Sequence, residues 1–247
     1  MGASVTAAKQ HIRTLIIHRL SSIAHDAILT QSRAIFDALV SFQPYRDARS
    51  ISLFLSMPAA EVQTDAIVRH ALTCGKHVFV PYLHRASAPD LPPQKSSPPH
   101  PPNRVMDMVQ LRSVDDYDSL RRDRWGIPSV DPASVPGRQR ILAPDAAELD
   151  LVLLPGVAFD TDEAGFVRRL GHGRGFYDYF ISRYLHARAS SAAASSQPVL
   201  PLYGLALSEQ LLLPASGEQV PMDVHDHKLH GLILGSGSII ESPKSQI

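Results

Sequence analysis

Six residues, "SISLFL" at 50–55, are apolar enough to form a strand buried on both faces. The loop "SMPAAEVQT" follows, and Thr64 is placed to N-cap a helix over 65–74 that Gly75 ends. "HVFVPYL" (77–83) is the next strand, so the three elements make a β-α-β unit with a parallel pair. A second strand-loop-helix unit starts with "LDLVLLP" (149–155). It passes through "GVAFDTDEAGFVRRLGHGRG", read as loop, to a helix over about 175–188. "VMDMVQL" (105–111), "VLPLYGLAL" (199–207) and "HGLILG" (230–235) add strands, and residues 4–41 read as two helices. The expected fold is α/β: a single domain over 1–247 with an open, largely parallel sheet flanked by helices, Rossmann-like in its layering. Two stretches stand outside it. Residues 86–103 hold seven prolines and no apolar periodicity, and 189–197 are small and polar; both read as disordered insertions.

Composition narrows the function. Hydrophobic residues make up 44% of 247, enough for a sizeable core, and 24 Lys+Arg balance 24 Asp+Glu. A general nucleic-acid binder shows a basic excess, so nucleic acid is not an expected partner. No apolar run approaches the roughly 20 residues that span a bilayer, so no membrane is expected either. The one cysteine, Cys74, cannot form an internal disulfide and fits a reducing compartment. Before Asp26 the chain has Lys9, Arg13 and Arg19 and no acid, a composition shared with mitochondrial presequences, and "MGASVT" fits the loose myristoylation pattern. The same residues make an amphipathic helix through Val5, Ile12, Leu15, Ile16 and Leu20, with Lys9 and Arg13 four apart on one face. A cytoplasmic monomer is expected, with a mitochondrial location as the alternative.

The chemistry is concentrated in "RRLGHGRGFYDYF", 168–180. Ligands in open α/β sheets sit at the carboxyl ends of strands, where the "LVLLP" strand delivers this stretch. Gly171, Gly173 and Gly175 let the backbone approach a ligand, and amides at a helix start form an anion nest. Arg169 and Arg174 suit phosphate oxygens, whereas Asp178 repels them and suits Mg²⁺. The composite is a Mg-nucleotide site, although neither GxxxxGK[ST] nor a GxGxxG after the first strand is present. The competing reading of the glycines is a solvated turn ahead of a capped helix. The histidines of "HDHKLH" (225–230) lie in a loop-to-strand context without cysteine support, and no zinc is assigned to them.

"FLSMPAAEVQT", "MDMV", "RWGIP", "LDLVLLPGVAFD" and "RRLGHGRGFYD", in that order, resemble the 5-formyltetrahydrofolate cyclo-ligase family, also called methenyltetrahydrofolate synthetases. The resemblance runs from about Ala8 to Leu234, and "PGVAFD" followed by "RLGxGxGxYD" is its specific part. It implies an ATP- and Mg²⁺-dependent ligase of folate one-carbon metabolism that makes 5,10-methenyltetrahydrofolate from 5-formyltetrahydrofolate, with or without extra glutamates. In the reaction it implies, ATP phosphorylates the formyl oxygen, N10 attacks the activated carbon, and phosphate leaves.

By position, Lys9 and Arg13 would contact ATP phosphates, as would Arg169, Gly171, His172, Gly173, Arg174, Gly175, Phe176, Tyr177 and Asp178. Arg174 and Tyr177 are assigned to catalysis. Asp178 and Asp226 would hold the metal. Leu55, Met57, Glu61, Trp125, Phe176 and Tyr177 would form the folate pocket. Because Lys9 and Arg13 belong to the site, the resemblance argues against cleavage of the N-terminus as a targeting peptide. On residue chemistry, Glu61 can accept two N–H groups of a pterin or serve as a helix-start acid, and Trp125 can stack on a flat ligand or fill core. The chain departs from the family at His172, where arginine or lysine is usual, and at Phe176, where tyrosine is usual. Those departures motivate a rival, a non-catalytic folate- or nucleotide-binding protein of the same fold. Two further rivals are an enzyme acting on sugar phosphates or coenzyme A esters, and a scaffold resting on the proline-rich segment.

Overall fold

A computed structural model describes residues 2–87, 103–143, 146–191 and 199–244. The chain opens with helices α1 (Gly2–Ser21), α2 (His25–Ser41) and the short α3 (Gln43–Asp47), then enters strand β1 (Ser50–Leu53). Helix α4 (Asp65–Thr73) leads to β2 (His77–Arg85) and β3 (Arg104–Leu111). Helix α5 (Val114–Asp118) and the two-residue strands β4 (Arg121–Arg122) and β5 (Pro128–Ser129) precede β6 (Leu151–Leu154). A hairpin of β7 (Ala158–Thr161) and β8 (Val167–Leu170) then leads into helix α6 (Phe176–Ser191). Strands β9 (Leu202–Ala206), β10 (Gly231–Leu234) and β11 (Ile239–Glu241) close the chain.

Seven strands form one sheet in the order β11-β10-β9-β6-β1-β2-β3. The five central strands run parallel, with β3 and β11 antiparallel at the edges. The reading as an α/β layered sheet holds, and the reason lies in the side-chain alternation. Ile51, Leu53, Leu151 and Leu153 pack with Ile12 and Ile16 of α1, Ile35 and Leu39 of α2, and Ile67 and Val68 of α4. Val152, Leu154, Phe79 and Leu232 pack on the other side with Phe180, Ile181 and Tyr184 of α6. A strand whose successive residues both meet helices is buried throughout: "LVLL" is apolar at every position, and "SISL" alternates Ile51 and Leu53 with the small buried Ser50 and Ser52.

Four expectations change. The stretch read as loop after β6 contains the β7–β8 hairpin, paired in register Asp160↔Arg168 and Phe159↔Arg169. Its turn is built by Asp162, whose Oδ1 accepts from the amides of Ala164 and Phe166, and by Gly165 at φ 87°. Thr64 occupies the N-cap position, but its hydroxyl donates to the Phe54 carbonyl at 2.9 Å instead of capping α4. Helix α6 continues to Ser191, into the stretch read as the 189–197 insertion; residues 192–198 lie outside the described residues. Of the 86–103 insertion, residues 88–102 lie outside them too, and the Ala86 amide donates to Asn103 at 3.1 Å to close the β2–β3 pair. The fourth change is strand β11, which, like α3, α5 and the β4–β5 pair, the sequence reading did not contain. Among the described residues no helix is long and apolar enough to cross a membrane.

Candidate active site

Four segments meet at the carboxyl end of the sheet: the first half of α1, the glycine turn from β8 into α6, the loop before β10, and the loop after β1. The first three enclose a cleft of about 220 Å³ lined by Lys9, Arg13, Arg169, Gly171, Gly173, Gly175, Asp178 and Asp226, with Thr6 and Leu170. Eight positions picked out in the sequence thus line one cavity, although Lys9 and Asp226 are 217 residues apart.

The glycine turn is shaped by conformation and by Arg13. Gly173 (φ 93°) and Gly175 (φ 65°) are in the left-handed region that side chains avoid. The Gly175 carbonyl accepts from Tyr179 and so starts α6. Arg13 Nε donates to the Gly171 carbonyl at 2.8 Å, and a Cβ on Gly173 would come within 3.2 Å of the Arg13 guanidinium carbon. The turn therefore rests against α1. Burial pulls the Arg13 pKa down, and Asp226 opposes that.

Arg169 is 6% exposed. Its Nη2 donates to Asp178 Oδ2 at 2.8 Å, its Nη1 reaches the Pro155 carbonyl at 3.3 Å, and its guanidinium carbon stands 5.6 Å from the Tyr177 ring centre. Its Nε is buried with no hydrogen-bond partner among the described residues. Lys9 donates to Asp226 Oδ2, which also accepts the Asp223 amide at 2.7 Å. The His227 amide donates to Asp178 Oδ1 at 3.2 Å, and Ser182 Oγ lies 2.9 Å from His227 Nε2. These contacts bring the Asp226 loop onto α6, and both candidate metal carboxylates line the same cleft. Nothing in the local sequence marks Ser182 or His227 for this role. The preceding arginine, Arg168, is taken by Asp160 inside the hairpin.

His172 and Arg174 lie exposed on the turn and do not line the cleft. Partial desolvation, then the positive charges of Arg13 and Arg169, push the His172 pKa down. Arg174 has no ion-pair partner among the described residues.

The second half of the site adjoins the first through Tyr177. Its pKa is raised strongly, by burial and then by Glu61, so the phenol is a donor and not a base. Glu61 is 9% exposed and accepts the Met57 amide at 2.8 Å through Oε2. Burial raises its pKa to about 7 against the single opposing hydrogen bond. Leu55 is buried at the end of the same loop, and Phe176 and Tyr177 are half-buried. Trp125 is 61% exposed at the tip of β4–β5, which removes the core-filling alternative. Its neighbour Gly126 (φ 78°) faces Pro58, 2.7 Å from a Cβ built there, so the hairpin tip borders the loop that carries Met57 and Glu61. Among the described residues, no three His, Cys, Asp or Glu side chains gather to hold a metal.

Residues 5–234 match the model of the 5-formyltetrahydrofolate cyclo-ligase family. The chain belongs to that family. A probable cyclo-ligase of Schizosaccharomyces pombe is 30% identical over 91% of this chain and 94% of its own. The mouse cyclo-ligase is 30% identical over 92% and 93%. The NMR structure of the Aquifex aeolicus 5,10-methenyltetrahydrofolate synthetase has a TM-score of 0.61 at 16% identity, covering 97% of this chain and 95% of that one. That likeness confirms the fold. Family membership makes the protein a 5-formyltetrahydrofolate cyclo-ligase, an ATP-dependent ligase of folate one-carbon metabolism.

Proposed function

We propose that the cleft between α1 and the glycine turn binds the ATP triphosphate, and that the Glu61–Tyr177 pocket beside it binds the folate. One observation carries the reading: three cations, the glycine turn and an orphaned buried Arg169 N–H converge on one cavity, and Tyr177 joins it to the only buried glutamate among the described residues.

The reaction follows from that placement. The γ-phosphoryl group passes to the formyl oxygen on N5, releasing ADP. N10 then bonds to the activated carbon, loses its proton, and phosphate departs with the C–O bond. Catalysis of such a transfer is mainly positioning and charge neutralisation. Lys9, Arg13 and Arg169 hold the phosphates, and Arg174, unpaired on the turn, follows the transferring group. Gly171, Gly173 and Gly175 bring the backbone to phosphate distance. Phe176 keeps an apolar face against the ligand, and His172, with its lowered pKa, adds hydrogen bonding rather than charge. Leu55, Met57 and Trp125 flank the pterin, and Glu61 accepts its N–H groups. The Tyr177 phenol, held protonated, donates to the oxygen of the phosphate that departs, where negative charge builds as the C–O bond breaks. Magnesium fits the donor set, because two carboxylates plus phosphate oxygens is how it is usually held. Asp178 and Asp226 would hold the ion, which would neutralise phosphate charge. Those carboxylates also pair with Arg169 and Lys9.

A monomer is the proposed state. The cytoplasm is the proposed compartment. A mitochondrial form would need to keep Lys9 and Arg13.

The test is near-ultraviolet absorbance of the methenyl product from 5-formyltetrahydrofolate, with and without Mg-ATP. An ATP-dependent rise is expected, reduced about 100-fold or more in Arg174→Ala and Asp178→Ala. Folate binding without any rise would establish the non-catalytic reading that His172 and Phe176 motivate. No rise and no binding would overturn the assignment of the site.

A further inference from the structure

The histidines of "HDHKLH" (225–230) have no part in the reaction above, and the structure separates them. His225 is exposed, and His230 Nδ1 accepts the Leu202 amide at 3.1 Å. His227 is half-buried and meets one turn of α6 with both its ring and its backbone. Its Nε2 lies 2.9 Å from Ser182 Oγ, and its amide donates to Asp178 Oδ1 at 3.2 Å. Ser182 follows Asp178 by four residues, and its hydroxyl donates to the Asp178 carbonyl at 2.9 Å. A hydroxyl has one proton. With that proton on the carbonyl, the His227 ring is the donor, through Nε2–H. His227 therefore grips Asp178 at two points, directly at the carboxylate and through Ser182 at the backbone.

Asp226 is the residue before His227, so the grip carries over to it. The loop on its other side is thinly held. Asp223, Val224 and His225 are exposed, Val224 at 89%. The Asp223 amide and the Lys9 ammonium both go to Asp226 Oδ2. Beyond His227 the chain is tied to the β7–β8 hairpin, by Lys228 to Asp162 at 2.7 Å and by the Leu229 amide to the Val167 carbonyl at 2.9 Å. Lys9, Asp178 and Asp226 all line the cleft, so bound phosphates and their ion draw on those same groups. Ser182 and His227 stand outside the cleft lining. Their bond joins the Asp226 segment to α6 without drawing on any group that the ligand uses.

We propose that His227 and Ser182 are positioning residues for the metal site: the pair sets the place of the Asp226 carboxylate relative to Asp178 and keeps it there while Lys9 and Asp178 engage the phosphates and the ion. This rests on the reading of Asp178 and Asp226 as the carboxylates that hold magnesium. Magnesium demands near-ideal octahedral geometry, so its ligands tolerate little drift. Groups that orient metal ligands are typically worth about 10- to 100-fold in metal affinity. This clasp is a neutral hydrogen bond on a half-exposed loop, so its effect is smaller, about three- to tenfold. It acts on ATP that carries the metal. ATP without metal draws on Lys9, Arg13 and Arg169 instead, and its affinity should change less than about twofold.

The experiment is calorimetric titration of ATP into the folate-free protein, with Mg²⁺ and with a chelator. The proteins compared are the wild type, Ser182→Ala, His227→Ala, the double variant, and His227→Gln, whose amide nitrogen reaches about as far as the ring Nε2. Ser182→Ala lies on an exposed helix position, where alanine is well tolerated, so it reports on the clasp without endangering the fold. Each alanine variant is expected to bind Mg-ATP about three- to tenfold more weakly than the wild type, with binding of metal-free ATP nearly unchanged. The double variant should be no weaker than the single ones, because all three lack the same bond, and His227→Gln should keep most of the affinity. An unchanged Mg-ATP affinity in Ser182→Ala would overturn the proposal, as would equal losses with and without metal or additive losses in the double variant. A wild type that binds ATP equally well with and without Mg²⁺ would instead overturn the reading of Asp178 and Asp226 as metal ligands, and this proposal with it.

Discussion

Glu61→Gln should make this enzyme more stable at alkaline pH while weakening its hold on folate. Burial raises the Glu61 pKa from its ordinary 4.5 to about 7. The folded protein therefore keeps the proton over a window in which the unfolded chain has lost it. The favourable contribution is complete below pH 4.5 and is lost as pH rises through about 7. At 1.36 kcal/mol per pH unit, the buried carboxylate costs about 3 kcal/mol at pH 8 relative to pH 4. Glutamine never ionises. Its carbonyl can still accept the Met57 amide, and its buried NH₂ costs about 1 kcal/mol where it finds no acceptor. The variant should be about 2 kcal/mol more stable at pH 8, or about 4–8 °C in Tm for a chain of this size, and slightly less stable at pH 5. The two stability–pH curves should cross. Urea or thermal unfolding of both proteins from pH 5 to 8 measures this, and parallel curves would refute the reasoning. Glu61 Oε1 accepts no hydrogen bond from the described residues, so it is free for pterin N–H groups. Substrate bound there favours the carboxylate and should release about half a proton at pH 7, read by calorimetry in buffers of different ionisation enthalpy.

Three further outcomes are expected. Gly173→Ala combines a left-handed backbone with a Cβ 3.2 Å from Arg13, whereas Gly175→Ala has the same conformational cost and open space. Each should lose about 1–2 kcal/mol of stability, but Gly173→Ala should also raise the KM for ATP several-fold, and equal KM effects would show that Arg13 does not brace the turn. His172→Lys places a permanent cation on the phosphate turn, so the KM for ATP at pH 7.5 should fall about threefold or more, with a steeper salt dependence. An unchanged KM would remove His172 from the phosphate site. Asp160→Asn leaves Arg168 half-buried and unpaired and weakens the bond from the Val220 amide, so unfolding should come about 3–5 kcal/mol earlier, and a loss under 1 kcal/mol would contradict the burial argument.

What could be read from the sequence, and what could not, divides along the range of the interactions. Strands β1, β2 and β6 were legible because a strand between two helical layers is rich in apolar residues on both faces, and that enrichment is written in consecutive residues. The glycine turn was legible for a similar reason: left-handed glycines and the arginines beside them are neighbours in the chain. The β7–β8 hairpin was not, because its charges look like loop until each is matched with a partner. Asp160 pairs across the ladder with Arg168, Asp162 with Lys228, and Arg169 with Asp178, eight to 66 residues away. The same pairing decides which of two adjacent arginines lines the cleft. Neighbouring residues of a strand point to opposite faces, so Arg168 is used up inside the hairpin while Arg169 turns to the cleft, sharing Asp178 and leaving one buried N–H without a partner. A buried donor left unmatched costs stability, and Arg169 carries it on a residue that lines the cleft proposed to take the phosphates.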